Sequence, residues 1–402
     1  MALTIDNLSR ELGVLFVVSV GNAQDSLKTS SEWRSEYPEY LLEESWRLID
    51  PAPALNAVVV GSIARYDQSF NSQRYTGDPA EIPIARKGQP SPFTRRGPSI
   101  GGAIKPDFVA YGGNYAVNTR ADYLVRQGLG EISTCKDFSS GKVFSLDCGT
   151  SFAAPHITHL AAKLMGEYPS ANVEQIRCML AAQARVPDIS QQLFSNPKDV
   201  LYVCGYGHVD TTGLFRSSEN DVTLMVNDSI LDGRHHFYEI YIPDDFTSNG
   251  RRMREISVSL AYTPVVRSTR INYRATRMEF RLVSADSLEY VSTMFNRATS
   301  NEQYESISEL PGRTIGAKAR GKGTLQADVW KFQTMNERSL LRRQKLFLVV
   351  TRNDYAWGSN LTAAGEKYSV IVNLRDRQNA EARLYTKIQQ RLQVGVKERV
   401  RV

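Results

Sequence analysis

The sequence predicts an α/β region over residues 1–217, a parallel sheet with flanking helices, followed by an all-β sandwich over residues 218–402. Three observations lead there. Continuous apolar runs alternate with helical periodicity in the first part. From about Asn220 the apolar period becomes two, in many short runs without intervening helices. A chain of 402 residues, 42% hydrophobic and 23% charged, can bury two globular cores.

The elements follow in order. Gly13-Val14-Leu15-Phe16-Val17-Val18-Ser19-Val20 reads as a strand buried on both faces, ending at the turn residues Gly21-Asn22. Asn56-Ala57-Val58-Val59-Val60-Gly61-Ser62-Ile63 repeats that pattern. Between them, residues 37–49 carry an apolar stripe that predicts a helix. Residues 66–103, rich in Gly, Pro, Ser and Arg, predict a long surface loop. A helix is expected from about Ala153 to Tyr168, where Ala153, Ala154, Ala161 and Ala162 allow close packing and Pro155 falls early enough to be tolerated. Ser170 is the expected cap of a second helix over 172–184, with Val173, Ile176, Met179 and Leu180 at helical spacing. The sandwich strands centre on 222–226, 238–242, 256–260, 278–282, 346–350 and 368–372, with a mobile polar insertion expected at 298–325. Trp330 and Trp357 are expected to pack rather than to bind.

A formal net charge of +6 is mildly basic. The clusters Arg251-Arg252-Met253-Arg254 and Arg342-Arg343-Gln344-Lys345 lack interleaved aromatics, so they are expected to be solvated faces and not nucleic-acid contacts. No apolar run is long enough to cross a membrane. The opening residues have no basic stretch followed by an apolar core, so a cytoplasmic location is expected. Cys135, Cys148, Cys178 and Cys204 are widely spaced and are expected as free thiols. No ligand spacing points to a metal or a cofactor, and none is expected.

The string with chemistry in it is Asp147-Cys148-Gly149-Thr150-Ser151-Phe152-Ala153-Ala154-Pro155-His156-Ile157. A serine where a loop enters a helix sits beside unpaired N–H groups and the positive end of the helix dipole, which together can hold an oxyanion. Taken alone, such a Thr-Ser pair is more often a helix cap than a catalyst. The full string, however, closely resembles the serine signature of the subtilisin-like proteases. Four further segments resemble that family in order: Val17-Val18-Ser19-Val20-Gly21-Asn22, Asn56-Ala57-Val58-Val59-Val60-Gly61-Ser62, Ile104-Lys105-Pro106-Asp107-Phe108-Val109-Ala110-Tyr111-Gly112, and Gly205-Tyr206-Gly207-His208-Val209-Asp210. The resemblance covers roughly residues 12–215.

It implies a serine endopeptidase acting on a protein or peptide, with Ser151 as nucleophile, the Asn22 amide as oxyanion donor, and Gly149 and Thr150 supporting the loop. It also implies an incomplete parallel sheet. The family's Asp and His lie on segments before the strand that ends here at Asn22, so they are expected to be missing and the chain inactive alone. An N-terminal fragment supplying Asp and His is the expected partner, and a partner ATPase is a further expectation. Among the histidines, His156 has a helix position that suggests packing, His159 follows on a similar face, His208 belongs to the closing segment, and His235 and His236 fall in the sandwich; each is expected to have a structural or surface role and not a catalytic one. Asp210-Thr211-Thr212-Gly213 reads as a turn. The alternative is a protease-like protein that binds or scaffolds without catalysis.

Overall fold

A computed structural model describes residues 1–68, 81–118, 120–121, 123–126, 128–248, 250–298, 301–334, 344–359, 361 and 364–399. By their contacts they form two units, Met1–Ser170 with Ala184–Val209, and Ala171–Gln183 with Asp210–Val402.

In the first unit the apolar runs become the parallel strands β1 (Val17–Ser19) and β2 (Val58–Ile63), and two short strands follow in the chain, β3 (Glu81–Pro83) and then β4 (Phe108–Tyr111). The parallel sheet has the order β1-β2-β4, with Val17 opposite Val58 and Val60 opposite Phe108. Every residue of β2 is buried, which a central strand covered on both faces requires. Ahead of β1, Ala2–Leu12 is a helix ending at Gly13 in the left-handed conformation, so the strand is shorter than its apolar run. The buried Asp6 carboxylate caps this corner by accepting from the Leu55 and Asn56 amides at 3.0 and 2.6 Å.

The Lys-Pro-Asp segment locks the sheet. Lys105 Nζ donates to the Ala57 carbonyl and to Asp107, whose carboxylate accepts from the Val59 amide at 2.7 Å. Both side chains are almost fully buried. The helix Thr150–Glu167 lies across β1, β2 and β4. It buries Thr150, Ala153, Ile157, Ala161 and Leu164, spaced three or four apart, and the alanines permit close approach.

Two expectations change here. Residues 37–49 form two 3₁₀ turns, Glu39–Leu42 and Glu44–Trp46, rather than a helix, with Tyr40 and Trp46 packed around Trp33. Part of the 66–103 loop, residues 69–80, lies outside the described residues. Its remainder is largely buried: Phe93 and Arg95 exchange backbone hydrogen bonds with Ala23 and Gly21 just after β1, and the Ser62 amide of β2 donates to the Thr94 hydroxyl. The rest of the unit contains β5 (Ala116–Asn118), β6 (Leu124–Val125), the antiparallel pair β7 (Glu131–Thr134) and β8 (Phe144–Asp147), and the antiparallel pair β9 (Ala184–Arg185) and β10 (His208–Val209).

The second unit holds two antiparallel sheets. One has the order β11 (Asp221–Ile230), β17 (Glu366–Arg375), β13 (Arg251–Tyr262), β15 (Leu325–Thr334). The other has the order β12 (His235–Ile240), β16 (Lys345–Asp354), β14 (Thr276–Ala285). Alternate residues of both, such as Val258, Leu260 and Val370 with Phe280, Leu282 and Leu348, share one buried cluster. The six expected strands are present, and β15 adds to them around a fully buried Trp330. The unit is not all-β, however. The helix Leu288–Arg297 covers β14 and β16 through Val291 and Phe295, and Val173–Gln183 lies against β13, β15 and β17. Asn172, not Ser170, caps that latter helix, exchanging hydrogen bonds with Gln175.

Of the region 298–325, residues 299 and 300 lie outside the described residues, and the part from 307 to 325 is anchored rather than loose. Arg320 is fully buried, donates to Asp328 at 2.7 Å and to Glu309, and lies 4.2 Å from the Phe280 ring. Asp328 also accepts from the amides of Thr314, Ile315 and Gly316. The Arg251–Arg254 cluster is not a solvated face: Arg254 is buried against the Ser248 and Gly250 carbonyls, and Arg252 pairs with Asp376. Of the other cluster, Arg342 and Arg343 lie outside the described residues, while Lys345 pairs with Glu239. No helix among the described residues is long and apolar enough to cross a membrane.

Candidate active site

Asn22 follows β1 and is held from both sides by backbone. It bridges to Thr94, Arg95 Nε donates to its carbonyl at 3.0 Å, and the next amide, Ala23, donates to Phe93. The Arg95 guanidinium also donates to the Ser45 and Arg47 carbonyls, both at 2.8 Å. Burial holds its pKa below the ordinary value. Three carbonyls on one buried cation make the turn after β1 rigid. Thr94 and Arg95 are the positioning residues that sequence reasoning missed. Nothing in the sequence marks them out from the other polar residues of that Gly-, Pro-, Ser- and Arg-rich stretch.

The serine loop is fixed to Asn22. Asn22 Oδ1 accepts from the Thr150 amide at 2.9 Å and from Thr150 Oγ1 at 3.0 Å. A backbone N–H can only donate, so this pair settles which end of the Asn22 amide faces the helix and leaves Nδ2 with its donors toward Gly149. A Cβ on Gly149 would come within 3.2 Å of that Nδ2, so glycine is what lets the two segments approach. The Gly149 amide donates to the Gly112 carbonyl at 2.8 Å, and a Cβ on Gly112 would meet the Gly149 carbonyl at 2.6 Å. The last part of the Lys-Pro-Asp segment therefore seats the serine loop as well.

Ser151 stands exposed on the first turn of its helix, while Thr150 beside it is completely buried. Among the described residues, Ser151 makes no hydrogen bond through its amide or its hydroxyl. A free amide at a helix N-terminus next to an amide donor such as Asn22 Nδ2 can stabilise negative charge on an oxygen held over Gly149. The structure thus brings Ser151, Asn22, Gly149 and Thr150 into one locus.

It does not bring a histidine to the Ser151 hydroxyl. His156 and His159 lie exposed along the same helix, so they have the surface role that is one of the two expected, and the packing suggested for His156 is not seen. His208 stacks on Tyr111 with ring centroids 5.0 Å apart. His235 bonds Thr351 at 2.9 Å and Tyr304 at 2.6 Å, and His236 bonds Tyr368 at 2.8 Å. In Asp210-Thr211-Thr212-Gly213 the Asp210 carboxylate accepts from the Thr212 amide, which makes it a local turn. Cys148, next to the loop, donates to the Asn114 and Arg126 carbonyls, and burial pushes its thiol up to about 12. No group of three His, Cys, Asp or Glu among the described residues is placed to hold a metal.

Comparison with known proteins fits this locus. A model of the subtilase family matches residues 1–207. The uncharacterized protein y4bN of Sinorhizobium fredii is 31% identical over 403 residues, covering 97% of this chain and 90% of that protein. The subtilisin-like protease SBT5.1 of Arabidopsis thaliana is 32% identical over 94 residues, 23% of this chain and 11% of that one. Among solved structures, a protease of Pseudoalteromonas arctica has 18% identity and a TM-score of 0.30, with 53% of this chain and 45% of that one covered. MycP1 of Mycobacterium smegmatis has 20% identity and a TM-score of 0.28, with 53% and 44% covered. The chain spans less than half the length of these two solved chains. The family match covers half of the sequence and includes the whole serine locus, and the chain belongs to the subtilase family, peptidase family S8.

Proposed function

We propose that this chain carries the nucleophile half of a serine endopeptidase site. Ser151 attacks the scissile carbonyl, and Asn22 Nδ2 with the Ser151 amide receives the developing oxyanion. The observation that supports this best is the double hydrogen bond from Thr150 to Asn22 Oδ1, which spends the carbonyl end of that amide and keeps its donor end for substrate. A site built only as a helix cap has no use for a free amide donor beside an exposed serine.

The general base and its orienting carboxylate come, in this reading, from a polypeptide segment outside residues 1–402. An activated serine needs a base to accept its proton. In subtilisin, losing the histidine alone lowers kcat by about 10⁶. This chain by itself is therefore expected to turn over peptides at close to the background rate. The second unit fits an appended β-sandwich, since residues of both sheets enter one buried cluster.

A non-catalytic binding role is the second reading, favoured by the lack of any partner for the Ser151 hydroxyl among the described residues. A fluorophosphonate probe separates the two. The endopeptidase reading expects no labelling of the isolated chain and labelling at Ser151 when a polypeptide bearing the Asp and His segments is added, with Ser151→Ala abolishing it. A chain that stays unlabelled with every such segment, and whose biological activity survives Ser151→Ala, belongs to the second reading. Labelling of the isolated chain would overturn the missing-base argument.

A further inference from the structure

One end of the two sheets of the second unit is both apolar and basic. Ile230 stands opposite Glu366 and Tyr262 opposite Tyr368 in one sheet, and His235 opposite Thr351 and Thr276 opposite Asp354 in the other. Three connections between the sheets therefore emerge at that end: residues 231–234, residues 263–275, and the one that begins at Tyr355.

The second connection is a built projection. Val266 bridges to Arg274, the Arg267 amide donates to the Tyr273 carbonyl at 2.8 Å, and the Ala275 amide donates to the Val265 carbonyl at 2.8 Å. Behind this neck the buried Arg274 guanidinium donates to the Gly321 and Gly323 carbonyls and to the Tyr262 hydroxyl. Residues 268–272 form the apex, where Ile271 is fully exposed. An aliphatic side chain held out in water adds nothing to the core, and its transfer to any apolar medium is favourable. Leu231, on the first connection, is half exposed. Trp357, on the third, is half-buried and fixed against the apex. Its Nε1 donates to the Asn272 carbonyl at 2.8 Å, and the Arg267 guanidinium lies 5.4 Å from its ring.

Charge surrounds these apolar groups. Arg234, Arg267 and Arg270 are exposed and make no ion pair among the described residues. Against them stands one exposed carboxylate, Asp232, which already accepts from the Asp354 amide at 2.8 Å.

We propose that this end of the second unit docks on an anionic lipid surface. Ile271 and Leu231 enter the acyl boundary, Trp357 lies at headgroup level, and the three arginines pair with headgroup phosphates. A bilayer fits better than nucleic acid or an acidic peptide, because a soluble polyanion satisfies the arginines and leaves Ile271 in water. The docking is independent of the chemistry at Ser151.

The test mixes the full chain with vesicles of phosphatidylcholine alone, or of phosphatidylcholine with phosphatidylserine, and reads binding by co-sedimentation. Trp33, Trp46 and Trp330 are buried, so quenching by brominated acyl chains reports on Trp357. The chain is expected to prefer the phosphatidylserine vesicles, with Trp357 quenched on binding. Ile271→Ser should weaken binding about tenfold. Arg267→Gln with Arg270→Gln should weaken it about 25-fold, or about fivefold for each arginine. All three side chains are exposed, so the variants keep the fold, which an unchanged melting temperature checks. The net charge of +6 draws any anionic vesicle, so Lys136→Gln with Lys142→Gln, a charge-matched pair exposed in the first unit, should stay within about twofold of the unaltered chain. Equal binding to both kinds of vesicle, no binding to either, or bound chain with unquenched Trp357 overturns the proposal. So does a loss in the lysine pair as large as in the arginine pair. Binding that is indifferent to Ile271→Ser, and from which duplex DNA or polyglutamate displaces the vesicles, assigns this end to a soluble polyanion instead.

Discussion

Replacing Asn22 by alanine removes the acceptor of two hydrogen bonds, from the Thr150 amide at 2.9 Å and the Thr150 hydroxyl at 3.0 Å. A typical intramolecular hydrogen bond contributes about 0.5–1.5 kcal/mol net, so the pair contributes about 1–3 kcal/mol to holding the serine loop. Thr150 is fully buried, and the abandoned amide has no route to solvent without local opening, which puts the expected loss in the upper part of that range. Hydrogen–deuterium exchange of the peptide covering residues 148–154 reads this directly. A local loss of 1–3 kcal/mol corresponds to exchange faster by about 5- to 150-fold, while peptides from β16 and β14 stay unchanged. Asn22→Asp supplies the control. It keeps an oxygen for both Thr150 donors and adds negative charge near a helix N-terminus, so exchange should stay within about twofold of the unaltered chain. It nevertheless deletes the Nδ2 donors, so probe labelling in a complemented site should fall by about 10²–10³. Equal exchange in Asn22→Ala and the unaltered chain would refute the argument that this amide clamps the loop. So would acceleration by Asn22→Asp to the same extent as by alanine.

Three other outcomes follow from buried and half-buried groups. Lys105→Met leaves Asp107 charged and buried without its cation, at a cost of about 3–5 kcal/mol by urea unfolding, and adding Asp107→Asn should recover most of the loss. With its thiol pushed up to about 12, the half-buried Cys148 should react slowly with alkylating agents at pH 8 until the chain is unfolded, although it lies three residues from Ser151; rapid native-state modification there would contradict the raised pKa. Burial lowers the His235 pKa, against a smaller upward pull from Glu279, so below pH 6.5 the unfolded chain binds the proton more readily than the folded one. The melting temperature should therefore fall between pH 7.5 and pH 5.5, and His235→Gln should reduce that fall.

Local pattern and a short string determined much of this protein. The apolar runs at 17–19 and 58–63 and the period-two runs after residue 220 form strands because burial on two faces or on one leaves different signatures in a linear sequence. Gly149-Thr150-Ser151 announces itself because loop, nucleophile and helix start are contiguous. Only the tertiary structure decided what depends on residues far apart in the chain. Asn22 and Thr150 are 128 positions apart, yet their hydrogen bonds make the site. Arg95 looks like loop until three carbonyls surround it, and Arg254 and Arg320 look solvated until Asp376 and Asp328 arrive beside them. β15 escapes a hydrophobicity pattern because it buries Gln326 and Asp328. The helix Val173–Gln183 follows the serine helix in sequence but takes its partners from β13 and β17: Ser259 donates to the Cys178 carbonyl, and Cys178 donates to the Ser369 carbonyl. Charge and polarity are properties of a residue, whereas their neutralisation is a property of its neighbours, and a sequence does not record who those neighbours are.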